Sequence, residues 1–354
     1  MPSLAAVTKI DFPFKVPQQE VKKHARELFA PSFPAIDRMM SAFDNTEITT
    51  RNFCKPLEHY LTLNSFSELN AEYIRTSLIY SIKAIEECLE KAAIGKEEIT
   101  DIIFVSSTGL ATPSLDALII NAMRLNPNIS RIPVFGLGCA GGVSGYAKAN
   151  ILAISNPQAI VLLVAVELCS LTFLRNDFSK SNFIGTTLFS DGVAACIIKG
   201  DDHDTVPGPK FKYLGNRSKL YYDSLDVMGW EFLNEGFKVV FSQDIPTIIT
   251  KNIHADIIEF LSIHKLQLED IKNFIFHPGG KKVLAAYAEA LPVEGDFLKN
   301  TREVMNAYGN LSSATVLYVL NKFYEEGFEN GYGLMVSLGP GFSSEMVLLD
   351  LNKS

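Results

Sequence analysis

The chain has 354 residues, of which 47% are hydrophobic, and a net charge of −8 at pH 7. This length suits two domains or one large duplicated fold, and the negative charge argues against nucleic acid as a partner. No apolar run reaches the roughly 18 residues of a membrane-spanning helix, and the N-terminus shows no secretory signal. A protein without a membrane span is therefore expected.

The predicted elements begin with a strand at residues 5–12 and a helix at residues 18–29. Apolar strands then alternate with helices, which predicts an α/β fold whose parallel-type strands are buried. The longest apolar run, residues 159–166 (AIVLLVAV), predicts a central strand. No low-complexity segment or long linker interrupts this pattern.

Five cysteines are spread along the chain, and their number is odd: Cys54, Cys88, Cys139, Cys169 and Cys196. No C-x-x-C pair occurs among them. This usage argues against a disulfide framework and against a structural zinc site. A reducing cytoplasmic location is expected.

The chain resembles itself at one fixed offset. Residues 99–105 (ITDIIFV) resemble residues 271–277 (IKNFIFH), an offset of 172 (271 minus 99). The same offset aligns the apolar strands at residues 160–166 and 332–338 without a gap. One offset that fits several segments indicates two similar halves.

A polar stretch at residues 200–209 (GDDHDTVPGP) is the predicted boundary between these halves. The expected domains are therefore an N-terminal half, residues 1–205, and a C-terminal half, residues 206–354. The first of them would contain Cys139.

Cys139 is the strongest candidate for chemistry. It lies in residues 131–145 (RIPVFGLGCAGGVSG), between an apolar run and a helical pattern. That context predicts a thiol on a tight turn at a helix N-terminus, where the helix dipole favours the thiolate. Neighbouring glycines would let a substrate carbonyl approach the backbone closely. We therefore expect a nucleophilic cysteine.

A nucleophilic cysteine usually needs a base or an ion-pair partner. Of the six histidines, His277 alone ends an apolar strand and precedes a Pro-Gly-Gly turn. Ligands of α/β folds bind at this end of the strands. A structural histidine is the alternative interpretation.

The third candidate is Asn310, which precedes a strongly apolar helical stretch. A helix-capping role for Asn310, Ser312 or Ser313 is one interpretation. The repeat offset, however, places Asn310 opposite Gly138, beside the cysteine. If the halves pack about a pseudo-twofold axis, Cys139, His277 and Asn310 converge. The imidazole and amide N–H groups could then stabilise an enolate or a thioester oxyanion.

These segments closely resemble the type III polyketide synthases, the chalcone and stilbene synthase family. The resemblance runs nearly from end to end and is carried by residues 139–142 (CAGG), 277–280 (HPGG), 308–314 (YGNLSSA), 188–192 (LFSDG), 238–246 (KVVFSQDIP) and 339–345 (GPGFSSE). It implies a thiolase-type fold, an αβαβα layered sandwich of two similar halves.

The resemblance also implies a mechanism. Cys139 would carry the starter acyl group and the growing polyketide, held by His277 as a thiolate–imidazolium pair for loading. His277 and Asn310 would bind the thioester carbonyl of malonyl-CoA and stabilise the enolate left by decarboxylation. That carbanion would attack the acyl-cysteine in an iterative Claisen condensation, followed by cyclisation to a pyrone or polyphenol. No metal or redox cofactor is implied.

Residues of the substrate cavity follow from the same resemblance. Phe189 matches the family's gatekeeping phenylalanine between the CoA tunnel and the cavity. Thr172 and Cys169 match positions that line the pocket. Val239 stands where plant enzymes have a second gatekeeping phenylalanine. Core packing is the alternative interpretation for Phe189.

Two further positions are assigned to the cavity. Trp230, the only tryptophan, lies near a position where plant enzymes have glycine, whereas many bacterial relatives have Met-Gly-Trp. This departure argues against chalcone as the product, and an indole in the cavity should limit or redirect the chain. Trp230 could instead fill the core. Gly341, in the 339–345 segment, is also expected at the substrate site.

A basic surface is expected where CoA phosphates enter. Arg51 and Lys55 align roughly with the family's cationic segment, and Lys281 and Lys282 follow the His277 turn. Thr112 matches the residue that reaches into the partner's cavity in family dimers. The expected partners are therefore an acyl-CoA starter, malonyl-CoA and a second copy of the chain.

Five alternatives remain open at this point. A β-ketoacyl synthase III would use the same Cys-His-Asn set for a single condensation with acyl carrier protein. Thiolases need a second cysteine and hydroxymethylglutaryl-CoA synthases a glutamate, which fit Asn310 less well. A cysteine hydrolase would turn over amides or esters without malonyl-CoA. A non-catalytic binding protein would need none of the three residues.

Overall fold

A computed structural model describes residues 1–31, 36–62, 65–203 and 210–353. The strands in these ranges are β1 (Ser3–Lys9), β2 (Phe14–Pro17), β3 (Thr50–Phe53), β4 (Asp101–Val105), β5 (Ser130–Val134), β6 (Ile160–Leu168), β7 (Asp191–Lys199), β8 (Lys210–Leu220), β9 (Met228–Leu233), β10 (Gly236–Phe241), β11 (Ile271–Phe276), β12 (Gly331–Gly339) and β13 (Ser343–Asn352). The helices are α1 (Gln18–Phe29), α2 (Ile36–Asp44), α3 (Phe66–Ala92), α4 (Leu115–Met123), α5 (Gly141–Ser155), α6 (Lys180–Leu188), α7 (Ile245–Ile263), α8 (Lys281–Ala290), α9 (Lys299–Tyr308) and α10 (Thr315–Glu326).

The predicted first strand, residues 5–12, is shifted from the observed β1, whereas the predicted helix at residues 18–29 coincides with α1. The predicted boundary at residues 200–209 falls mostly on residues 204–209, which lie outside the described residues. The division into residues 1–205 and 206–354 therefore stays a prediction.

Nine strands form one mixed sheet, in the order β11-β12-β13-β8-β1-β7-β6-β4-β5. On one side β4 pairs in parallel with β6, and β6 and β1 each pair antiparallel with β7. On the other side β11 pairs in parallel with β12, and β12 and β8 each pair antiparallel with β13. The same four-strand pattern thus occurs twice. The two copies of the pattern join where β1 pairs with β8.

Five layers follow from which face each strand residue presents. Along β6, Val161, Leu163 and Ala165 pack in the cluster that contains α5 and α10. Their neighbours Ile160, Leu162 and Val164 pack in the cluster that contains α3 and α4. In the other half, β12 likewise shares one face with the central cluster and the other with α7 and α8. Strands buried on both faces explain the continuous apolar runs.

The predicted α/β fold of the thiolase type, with two similar halves, is confirmed. Helices α5 and α10 contact each other in the central layer, and each follows a short turn that lies at the middle of the molecule. The Cys139 turn precedes α5, and the Asn310 segment precedes α10. In the described part of the chain, no helix has the length and apolar character needed to cross a bilayer.

Candidate active site

Cys139 lies in a single turn of 3-10 helix, Gly138–Ala140, immediately before α5. Its side chain is 6% exposed. The thiol contacts the hydroxyl of Ser312, with 3.8 Å between Sγ and Oγ. The predicted position at a helix N-terminus is therefore correct, and the thiol faces the segment that precedes α10.

The two central helices approach closely at this point because α5 begins with glycines. A Cβ atom at Gly142 would lie 2.2 Å from the backbone oxygen of Ser313, a distance that no side chain tolerates. The close approach places Ser312 and Ser313 against the Cys139 turn. The glycine is thus required for the two halves to meet at the thiol.

His277 directly follows β11 and is 3% exposed. Its backbone N–H donates to the carbonyl of Val336 at 2.8 Å, which continues the pairing of β11 with β12. Within the described residues, neither ring nitrogen of His277 has a hydrogen-bond partner. A buried imidazole with two unpartnered nitrogens is available to a ligand or to a proton.

Asn310 is 1% exposed and uses both ends of its amide. Its Nδ2 donates to the carbonyl of Gly279 at 3.0 Å, and its Oδ1 accepts the backbone N–H of Ser312 at 2.9 Å. Asn310 therefore connects the turn that follows His277 with the residue that contacts Cys139. One N–H of the amide remains for another acceptor, since an amide nitrogen has two.

Burial dominates the electrostatics of the site. It raises the pKa of Cys139 to about 12, against a lowering effect of the Ser312 hydroxyl. It also lowers the pKa of His277 to about 3. Desolvation therefore opposes the thiolate that the helix terminus is expected to favour. A proton passed from thiol to imidazole leaves the net charge of the pair at zero.

Glu167 is a buried site residue that the sequence reasoning did not assign. Its carboxylate accepts the hydroxyl of Ser313 at 2.5 Å and the backbone N–H of Ser107 at 3.1 Å. Burial raises its pKa to about 7, and its charge acts on Cys139. The sequence signal for Glu167 is that it is the one acidic residue in β6, a strand whose residues are all buried.

One cavity is lined by five of the six residues predicted to bind substrate. Those five are Phe189, Thr172, Cys169, Trp230 and Val239. Trp230 and Val239 are cross-strand neighbours on β9 and β10. Gly341 is not among the residues lining this cavity. It lies in the turn between β12 and β13, with φ +113°. Gly339, the last residue of β12, lies against Leu137 and Ala140 of the Cys139 loop.

The predicted CoA-phosphate residues have different surroundings. The placement of Arg51 at a tunnel mouth is wrong, because its side chain is 1% exposed and Nη1 donates to backbone carbonyls of Thr186 and Phe189. Lys55 forms a 2.9 Å ion pair with Glu72. Lys281, half-exposed beside the His277 turn, has an ion pair of 3.0 Å with Glu47.

Lys282 is exposed at the same turn. The five cysteines are all buried and free. Among the residues that the structure describes, no group of three or more His, Cys, Asp or Glu side chains has an arrangement that could hold a metal ion.

The chain matches two family models that together span most of its length. "Chalcone and stilbene synthases, N-terminal domain" matches residues 62–202, and "Chalcone and stilbene synthases, C-terminal domain" matches residues 219–351. A protein of Bacillus subtilis (strain 168) named "Putative chalcone synthase" is 44% identical over 350 residues, which is 96% of both chains.

Further relatives agree. A 1,3,6,8-tetrahydroxynaphthalene synthase of Streptomyces peucetius subsp. caesius is 34% identical over 98% of this chain and 92% of its own. The crystal structure of the enzyme of that name from Streptomyces coelicolor A3(2), described as a bacterial type III polyketide synthase, superposes with a TM-score of 0.93 at 27% identity, over 99% of this chain and 100% of that one. This chain belongs to the chalcone and stilbene synthase family, the type III polyketide synthases.

Proposed function

We propose that this protein condenses malonyl-CoA repeatedly onto an acyl group held on Cys139, and that the product then cyclises to a pyrone or polyphenol. One observation carries the assignment of roles. Contacts run from the Cys139 thiol to Ser312, from Ser312 to Asn310, and from Asn310 to Gly279 in the His277 turn. These contacts support a common site for the thiol, the amide and the turn that carries the imidazole.

Loading begins when the thiol proton passes to His277 and Sγ attacks the thioester carbonyl of an acyl-CoA. The bond to CoA breaks, and the CoA thiolate leaves with the proton from the imidazolium. Because burial disfavours either charge alone, the proton transfer and the attack are coupled. We expect the acyl group to extend from Cys139 towards the cavity that Phe189 and Thr172 line.

Extension uses the same groups as donors. The thioester carbonyl of malonyl-CoA accepts from neutral His277 and from the free N–H of Asn310. Loss of carbon dioxide leaves an enolate whose negative oxygen these donors stabilise. The carbanion attacks the acyl carbonyl, and the Cys139 thiolate leaves. A β-ketoacyl-CoA two carbons longer is then ready to reload.

CoA thioesters are the proposed substrates, with no metal or redox cofactor in the reaction. Lys281 and Lys282 are the proposed contacts for CoA phosphates, since both lie at the start of α8 beside the His277 turn. Lys55 is a second candidate, and its ion pair with Glu72 would have to loosen. Charged contacts to phosphate depend on accessible cations.

A homodimer in the cytoplasm is also proposed. Thr112 is exposed. The large side chains of Leu110, two residues before it, and of Phe135, directly after β5, are 41% and 47% exposed. Exposed apolar side chains of this size are typical of a covered surface. Five free buried cysteines suit a reducing compartment. Light scattering coupled to gel filtration gives the mass, and a monomer would contradict the dimer.

The test of function is incubation with malonyl-CoA and a panel of aliphatic and aromatic acyl-CoAs, read by mass spectrometry. Products heavier than the starter by several decarboxylated malonyl units are expected, and none from the Cys139→Ala variant. A single condensation that requires malonyl-acyl carrier protein would instead assign a β-ketoacyl synthase III. No acyl-enzyme with any starter would contradict the proposal.

A further inference from the structure

Arg51 is a fully buried cation beneath the substrate cavity. Its guanidinium carbon lies 5.2 Å from the centre of the Phe53 ring, and the residue belongs to the lining of the cavity. Nη1 donates to the carbonyl of Thr186 at 2.7 Å and to that of Phe189 at 2.9 Å. Both acceptors lie at the C-terminal end of α6. Arg51 therefore holds the end of the helix that carries the gate residue Phe189.

The charge of Arg51 has little other compensation. The negative charge of Asp191 favours the charged form of Arg51. The Asp191 carboxylate, however, accepts its hydrogen bonds from Ser170 and from the backbone N–H of Cys54. Helix C-termini carry partial negative charge, so the end of α6 supplies what an ion pair would supply elsewhere. Burying a cation costs folding free energy. Its presence here indicates that a fixed position of the C-terminal end of α6 serves a function.

The segment held by Arg51 is also paired with Asn310. The backbone N–H of Asn310 donates to the carbonyl of Leu188 at 2.9 Å, and the backbone N–H of Ser190 donates to the carbonyl of Asn310 at 2.8 Å. Phe189 lies between these two hydrogen bonds. The gate and the amide thus share one short piece of backbone.

Gly309 shows how closely Arg51 approaches this junction. Its φ of +75° lies in the region that favours glycine. A Cβ atom there would lie 2.9 Å from the backbone oxygen of Leu188 and 3.1 Å from Cγ of Arg51. The arginine stem therefore packs directly against the residue before Asn310.

We propose that Arg51 is a positioning residue that sets the gate Phe189 by anchoring the end of α6, and that it thereby decides which starters enter the cavity. The inference rests on the proposed function, because the gate acts on acyl-CoA substrates. In this proposal Arg51 acts on the reaction through Phe189 and takes no part in bond making or breaking. Its effect should pass through Phe189.

The measurement is starter discrimination, the ratio of kcat/KM for the preferred and the least preferred acyl-CoA of the panel. Arg51→Met removes every donor while keeping a stem of similar length, and at least a tenfold loss of discrimination is expected. Arg51→Lys keeps a charge and a donor but not the planar fork, so only part of the discrimination should return. If Arg51→Met fails to fold, Arg51→Lys takes its place in the double-mutant cycle, with a smaller expected loss of discrimination.

A double-mutant cycle with Phe189→Ala separates gating from general destabilisation. Once the gate is absent, removing Arg51 should change discrimination by less than twofold. Asn273→Leu is the matched control, because Asn273 is buried, donates to the carbonyl of Glu329 at 2.7 Å and lies outside the cavity lining. It should lower the unfolding midpoint without altering discrimination.

Equal loss of discrimination in the wild-type and Phe189→Ala backgrounds would overturn the inference, and so would an equal loss in Asn273→Leu. A wild-type protein that forms no polyketide would instead refute the proposed function. The two failures are thus distinguishable.

Discussion

The side-chain amide of Asn310 donates to the backbone carbonyl of Gly279 at 3.0 Å. This hydrogen bond joins the C-terminal end of β11 to the segment that precedes α10. It fixes the orientation of the amide, so the remaining N–H has a defined direction relative to the His277 turn. A preorganised donor of this kind contributes most when charge develops on a bound oxygen.

Asn310→Asp should uncouple loading from extension. Aspartate cannot donate to the carbonyl of Gly279 or to an enolate oxygen, so carbon dioxide release from malonyl-CoA should fall about 10²–10³-fold. The acyl group should still appear on Cys139 in an intact-mass measurement. Asn306→Asp is the control, since that partly buried amide donates to the backbone carbonyl of Glu47, away from the cavity. Equal loss of loading and release would contradict the separation of roles.

His277→Gln should make the Cys139 thiol harder to ionise. Without imidazole as proton acceptor, the buried thiol must ionise alone, against the desolvation that already raises its pKa in the native chain. A higher pKa means less thiolate at any given pH, about tenfold less for each unit. Alkylation by iodoacetamide at pH 7 should therefore slow at least tenfold, and its profile should move to higher pH. Identical profiles would refute the pairing, and exposed His254→Gln should match the wild type.

Glu167 should make stability fall as the pH rises from about 4.5 to about 7. Its pKa is raised to about 7 in the folded chain, so the folded state binds more protons than the unfolded state in that window. The free energy of unfolding should fall by about 3 kcal/mol across this pH range because of this group. Denaturant unfolding at several pH values should show a flatter profile for Glu167→Gln. The exposed substitution Glu329→Gln should keep the wild-type slope, and an unchanged slope in Glu167→Gln would contradict the account.

Trp230→Ala should widen the range of starters or lengthen the products. The indole lines the cavity opposite Val239, so its removal adds space at the wall of the chamber. Product masses from the same acyl-CoA panel measure the change. Phe232→Ala, on the same strand but 58% exposed and outside the lining, is the matched control. An unchanged product range would contradict this prediction and would indicate that Trp230 only fills the core.

The turns that contain Cys139, His277 and Asn310 could be predicted because each has a local signature: small residues at a helix start, Pro-Gly-Gly after a strand, and a polar residue before an apolar helix. The two similar halves could be predicted because one offset aligned their strands. The burial of the Arg51 side chain could not be predicted from the sequence. Its burial depends on the end of α6, which is more than a hundred residues away in sequence, and a lone arginine in a polar stretch resembles a surface charge. The balance between burial and helix dipole at Cys139 likewise depends on packing from both halves.

The most direct test of the central claim is to locate the acyl group after exposure to an acyl-CoA without malonyl-CoA. Peptide mass mapping should show one starter acyl adduct on the peptide that contains Cys139, and no adduct in Cys139→Ala. Cys169 lines the substrate cavity and is the competing site. An adduct on Cys169, or an adduct that persists in Cys139→Ala, would contradict the assignment of Cys139 as the nucleophile.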